Sequence, residues 1–241
     1  MKLRAHLWSI GPVAALVLVA GLAGGAISGQ LRTTVLFHGT FDTPSVLPEV
    51  GQFVASSNVG SIGILPSPNG GNLLVFDDTG TNGSQPLYLL GTFDGGKKAL
   101  NGTVDLHLEL TVGQSDSPFS VGVVVDNATS DFIPASGPDG DGDLTVAGKK
   151  TGKKVPVDTP LAVDVQLSRD RTTDDWSYAI TVAQAVESAG GKNPSVITPT
   201  YTGVFAGTRG KDVSGIAFIK MPGSTGRFYV DDISVEQSTT N

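Results

Sequence analysis

Chemistry is legible first in a short acidic run. Asp105-Leu106-His107-Leu108-Glu109 places two carboxylates and an imidazole at every second position. On an extended chain such residues share one face. Two carboxylates flanking a glycosidic bond act as acid and nucleophile, so Asp105 and Glu109 are the candidate catalytic pair. Positions four apart on a strand have Cα atoms about 13 Å apart, whereas retaining hydrolysis needs carboxyl groups about 5–5.5 Å apart. The spacing predicts no working pair. The competing reading is the solvated face of a half-buried strand.

Pro138-Asp139-Gly140-Asp141-Gly142-Asp143-Leu144 is the sharpest local motif. Asp139, Asp141 and Asp143 at alternate positions suit an oxygen-ligand calcium loop. Leu144 stands where the turn glycine of the full loop belongs, and Lys150 stands where its closing Glu belongs. A structural calcium and a solvated acidic loop tip are therefore both open. Gly148-Lys149-Lys150-Thr151-Gly152-Lys153-Lys154 follows and reads as a hairpin that protects a sheet edge.

Beyond the first residues, His38 and His107 are the only histidines, which excludes a histidine-rich metal site. No Gly-x-Ser-x-Gly elbow and no Gly-x-x-x-x-Gly-Lys-Ser/Thr phosphate loop is present. Stacking on sugar faces would use aromatics, and Trp176, Tyr88 and Tyr201 are the ligand-binding candidates. Trp176 and Tyr178 alternate in phase with Ile180 and Val182, which turns both toward the core.

The elements that must position these residues are strands. Short apolar runs are separated by clusters drawn from 32 glycines, 14 prolines and many Asn, Asp and Ser. Strands are predicted over Thr33–Phe37, Gln52–Ser56, Ser61–Leu65, Asn72–Asp77, Leu87–Phe93, Gly102–Val112 and Phe119–Asp126. Further strands are predicted over Leu161–Ser168, Trp176–Ala183, Tyr201–Phe205, Gly215–Met221 and Gly226–Val235. Val182 to Ala189 is the one stretch that suits a helical turn. Val104, Leu106, Leu108 and Leu110 oppose Asp105, His107 and Glu109; Leu161, Val163, Val165 and Leu167 oppose Ala162, Asp164 and Gln166. One dry and one wet face mark an antiparallel sheet packed on a second sheet. Arg169–Asp175 is polar, so 161–183 reads as a hairpin.

Lys2 and Arg4, an uncharged apolar stretch from Gly11 to Ala23, and small residues through Ser28 follow the secretory-leader pattern. That stretch is shorter than the ~20 residues of a membrane-spanning helix. The expected organisation is a leader over 1–28, one β-sandwich domain over 29–236 and a C-terminal tail over 237–241. Localisation outside the cytoplasm follows, with no stable membrane span once the leader is gone. The net charge of −7 argues against a nucleic-acid partner, which needs clustered Lys and Arg. The absence of cysteine excludes disulfides and thiolate metal sites.

Val35-Leu36-Phe37-His38-Gly39-Thr40-Phe41-Asp42 resembles the first strand of concanavalin A-like jelly-roll domains. Gly226-Arg227-Phe228-Tyr229-Val230-Asp231-Asp232-Ile233-Ser234-Val235 resembles their last. That group includes family 16 glycoside hydrolases, laminin-G-type modules and carbohydrate-binding modules. The resemblance implies an all-β antiparallel jelly-roll β-sandwich, with its two end strands side by side. It also implies a structural calcium held by Asp231, with Asp42 nearest to the acidic partner because Thr40 occupies that place. Two-residue alternation sets Asp231 with Tyr229, Ile233 and Val235, on a dry face where a carboxylate needs a cation or strong hydrogen bonds. A hydrogen-bonding role at a strand end is the alternative.

The hydrolase motif itself is missing, so the expected function is a non-catalytic binding domain. A polysaccharide or glycoconjugate is the ligand the resemblance implies. The alternatives are a divergent glycoside hydrolase of the same group and a structural cell-surface or filament subunit, whose N-terminal strand would pair with a neighbour's sheet edge.

Overall fold

The computed structural model describes residues 31–240 except 44, 57–60, 68–70, 80–85, 114–117, 127–131, 171, 185–194, 197 and 223–224. The expected leader therefore lies outside the described residues. Along the chain run β1 (Leu31–Gly39), β2 (Gln52–Ser56), β3 (Ser61–Pro66), β4 (Asn72–Asp77) and β5 (Leu87–Thr92). Then come β6 (Thr103–Val112), β7 (Phe119–Val125), β8 (Phe132–Pro138), β9 (Asp143–Val146) and β10 (Lys149–Lys154). The rest are β11 (Pro160–Arg169), β12 (Trp176–Gln184), β13 (Ser195–Val196), β14 (Tyr201–Phe205), β15 (Val213–Lys220) and β16 (Arg227–Thr240).

These strands form two antiparallel sheets, the jelly-roll sandwich expected. One sheet has the order β13-β12-β11-β6-β16-β4-β3, with β1 on β16 and β14 on β12; the other has the order β10-β9-β8-β7-β15-β5-β2. The end strands pair as implied, from Leu31 opposite Thr240 to Gly39 opposite Ile233. β1 is thus engaged within its own sheet. The 161–183 hairpin is present as β11 and β12, with Val163 opposite Val182. The lysine-rich β10 is an edge strand, bonded to β9.

Alternation sets the faces. In β6, Val104, Leu106, Leu108, Leu110 and Val112 are buried, and each residue between them is half-exposed. β11 does the same with Leu161, Val163, Val165 and Leu167. Phe76, Phe119, Phe218 and Phe228 meet across the two sheets, with ring centroids 4.4 Å apart for Phe119–Phe228 and 5.4 Å for Phe76–Phe119. Such pairs add about 0.5–1.5 kcal/mol beyond their area burial.

Three differences from the sequence reading have physical reasons. β8 and β9 were not anticipated, because β8 carries Pro134, Gly137 and Pro138 and β9 is only four residues long. Residues 237–240 are not a free tail; Gln237, Ser238, Thr239 and Thr240 extend β16 by pairing with β1. Val182–Gln184 belong to β12, and the remainder of the stretch read as a helical turn lies outside the described residues.

Candidate functional site

The outer face of the larger sheet gathers polar side chains from three adjacent strands. β6 supplies Asp105, His107 and Glu109, β11 supplies Asp164 and Gln166, and β16 supplies Asp231 and Asp232. Register decides who meets whom. Asp105 stands opposite Gln166, and His107 opposite Asp164 on one side and Ser234 on the other. Glu109 stands opposite Asp231. Gln166 Nε2 donates to Asp105 Oδ1 at 2.9 Å. His107 Nδ1 lies 2.7 Å from Asp164 Oδ1, and its Nε2 lies 3.9 Å from Asp232 Oδ2. The hydrogen bond to Asp164 is the main reason the imidazole titrates above its ordinary value; the charges of Asp164, Asp232 and Glu109 add to it against partial burial.

Asp231 is not on the dry face. The ladder between β16 and β6 shifts between Asp231 and Ser234, and Asp232 takes a left-handed φ of 46°. That bulge inserts one residue and changes the phase of the alternation. Phe228 and Val230 before it, and Ile233 and Val235 after it, all face the core. Tyr229 and Asp231 therefore point outward, half-buried. Burial pushes the Asp231 carboxyl up to about 7, although it accepts the Asp232 N–H at 2.8 Å. The charges of Glu109, Asp232 and Asp42 push the same way. Asp42 is held nearby: its backbone carbonyl accepts from Asn72 Nδ2 at 2.9 Å. Gly71, at φ +71°, keeps clear a space where a Cβ would come within 2.8 Å of Asp42 Oδ1.

Asp105 and Glu109 share the expected face but stand four register positions apart, and Asp105 is bound to Gln166. The closer carboxylate neighbour of Glu109 is Asp231, which comes from a distant part of the sequence. The bulge that creates this pairing left no clear mark in the sequence. An Asp-Asp dipeptide interrupting an apolar alternation was the only hint.

The calcium expectations meet two different geometries. Among the described residues, three ligand atoms come within 4.8 Å of one another only at Asp139, Asp141 and Asp143. Asp42, Glu109 and Asp231 do not bring three carboxylate oxygens together in this way. The Asp139 turn has the right donors, and a lysine ammonium already sits among them. Lys150 Nζ lies 2.7 Å from Asp139 Oδ2 and 2.6 Å from Asp141 Oδ2, and Lys154 Nζ lies 2.9 Å from Asp143 Oδ1. Asp139 Oδ1 accepts the N–H groups of Asp141 and Asp143 at 2.9 and 2.8 Å, which closes the turn between β8 and β9. Burial alone would raise the Asp139 carboxyl, but Lys150 and these two N–H groups outweigh it and hold it below the usual range.

The three aromatic candidates lie apart. Trp176 is fully buried, its indole N–H donating to the Lys211 carbonyl at 2.8 Å and its ring under the Arg169 guanidinium, so it is no stacking platform. Tyr201 packs against the core from β14. Tyr88 lies on the outer face of the smaller sheet, beside Leu90, Val124, Phe132 and Ile219. The sequence reading missed Tyr229 as a site residue; it lies two positions before Asp231 on the polar face.

No family model matches the chain, and no curated protein matches it. Solved structures resemble it in architecture. A protein of unknown function from Shewanella oneidensis MR-1 is 12% identical over 87% of this chain and 86% of its own, with a TM-score of 0.48. A carbohydrate esterase from the Shiga toxin-encoding bacteriophage phi24B is 15% identical over 86% of this chain and 100% of its own, with a TM-score of 0.48. Arcelin-5, a lectin-like defense protein from Phaseolus vulgaris, is 10% identical over 88% of this chain and 99% of its own, with a TM-score of 0.46.

Proposed function

We propose that this chain is an exported, non-catalytic glycan-binding domain whose ligand lies along the outer face of the larger sheet. The observation that carries the reading is the row of planar hydrogen-bonding groups on three adjacent strands: Asp105, His107, Glu109, Asp164, Gln166 and Asp231. Each sugar hydroxyl both donates and accepts, and carboxylate, amide and imidazole groups on rigid strands meet it with fixed geometry. Tyr229 flanks the row and offers an aromatic ring to the apolar face of a sugar. The excess of carboxylates selects neutral or amine-bearing glycans over uronates, because like charges repel. Export rests on the leader pattern of residues 1–28, and N-terminal sequencing of the protein from its host tests it.

A glycan array tests the ligand. Binding of neutral or amino-sugar glycans that falls at least tenfold in Glu109→Gln and Tyr229→Ala supports the proposal. Absence of binding to any glycan, or binding indifferent to both substitutions, overturns it.

A second reading, hydrolysis, is favoured by one observation. Glu109 and Asp231 stand opposite each other, and Asp231 retains its proton to near pH 7. A carboxyl that keeps its proton beside a second carboxyl is what the acid of a glycosidase pair requires. Turnover of mixed-linkage glucan, laminarin, agarose or carrageenan that is lost in both Glu109→Gln and Asp231→Asn would install this reading over binding.

A further inference from the structure

Lys220 and Asp78 form an ion pair with no solvent exposure on either side chain, Nζ lying 2.5 Å from Oδ2. Lys220 ends β15 of the smaller sheet, and Asp78 directly follows β4 of the larger one. The pair therefore bridges the two layers. Phenylalanines flank it in spacing and in register. Phe218 lies two residues before Lys220, and Phe119 is the ladder partner of Lys220. Phe76 lies two residues before Asp78, and Phe228 is the ladder partner of Phe76. Two charges in such a dry place are costly to maintain, and an apolar pair would fill it as well. An amine and a carboxyl held in contact away from water are also placed for a chemical use.

We propose that Lys220 and Asp78 condense into an intramolecular amide that joins the two sheets covalently. The step needs a free amine and a carboxylic acid, which one proton passed from ammonium to carboxylate across the 2.5 Å contact supplies. Nζ then attacks Cγ, the carbon that bears Oδ2. A nitrogen proton moves to the departing hydroxyl, the C–O bond breaks and one water leaves. No oxidant, reductant or second substrate is consumed. The fold supplies proximity, which makes the reaction intramolecular and replaces a high concentration of reactants. It also shields both groups fully from solvent. The product would close most of the domain into a loop, the role a disulfide fills elsewhere, in a chain with no cysteine.

The test is the mass of the full chain, purified and denatured, together with tandem mass spectrometry of its peptides. The expected result is a mass one water below that of the unlinked chain, and a branched peptide joining the Lys220 and Asp78 segments. Asp78→Asn should lose ammonia in place of water and converge on the same mass and the same branched peptide. Asp78→Ala should show no loss. Peptide mapping separates the amide from dehydration at Asp-Gly sequences, which leaves the Lys220 peptide linear. A wild-type chain at its unlinked mass, or one with a linear Lys220 peptide, overturns the proposal whether or not the variants fold.

Discussion

Glu109 and Asp231 face each other on neighbouring antiparallel strands, and the bulge at Asp232 puts Asp231 on the outer face beside its partner. Without the inserted residue, the alternation that buries Ile233 and Val235 would carry Asp231 into the core. The left-handed backbone at Asp232 thus decides which carboxylates share the polar row.

The raised Asp231 carboxyl makes stability fall as pH rises. Its value of about 7 in the fold lies above the 3.8 of the free group, so between these limits the folded state binds more protons than the unfolded one. Stability from this group is full below about pH 4 and is lost as pH rises through about 7. Asp231→Asn should match the wild type near pH 4 and exceed it above pH 7 by about 1 kcal/mol, a figure discounted for the partly solvated position. Urea unfolding across this range checks it, and a constant difference would contradict the shift.

His107 shifts in the same sense, through a hydrogen bond rather than burial. Its value is raised chiefly by the Asp164 hydrogen bond, so its contribution is full below the unfolded value of 6.5 and is lost as pH rises through the folded one. Asp164→Asn should lower the His107 midpoint, read by NMR titration of the imidazole. The accompanying loss of stability at pH 6 should be about 0.5 kcal/mol, because both groups are well exposed. An unchanged midpoint would remove Asp164 as the cause.

Calcium and the Lys150 ammonium compete for the Asp139 turn. Wild-type melting temperature should respond weakly to millimolar calcium, since the ion must displace Lys150 from Asp139 and Asp141. Lys150→Met should leave three converging carboxylates and gain a calcium-dependent rise in Tm that chelator reverses. Calcorimetric titration of both proteins would show it directly, and equal responses would discard the competition.

Backbone strain at Asp232 is open to the same kind of test. A non-glycine residue at φ 46° carries a conformational cost that glycine avoids. Asp232→Gly should leave the ladder register intact and stabilise the fold by about 0.5 kcal/mol, after the greater freedom of glycine in the unfolded chain is offset. His107 should titrate lower in this variant, because Asp232 Oδ2 lies 3.9 Å from its Nε2. Destabilisation would mean that the Asp232 side chain matters more than its backbone.

Much of the fold was legible because strand alternation is a local signal. β6 and β11 declare their dry faces within ten residues each, and Trp176 is placed in the core by its phase with Ile180 and Val182. β8 was hidden because its two prolines and its glycine are turn signals in isolation, although a register shift in its ladder with β7 accommodates them. Asp231 was assigned the wrong face because a bulge changes the phase without changing composition.

The sequence by itself determined the all-β class, the wet face of β6 with Asp105, His107 and Glu109, and the acidic turn at Asp139. Each of these depends on spacing within one segment. Only the tertiary structure decided that Glu109 meets Asp231, that Lys150 enters the Asp139 turn, and that Lys220 meets Asp78 between the sheets. These partners are distant in the chain or depend on ladder register. Register is settled by how all the strands bury their apolar faces together, a sum that no single segment contains.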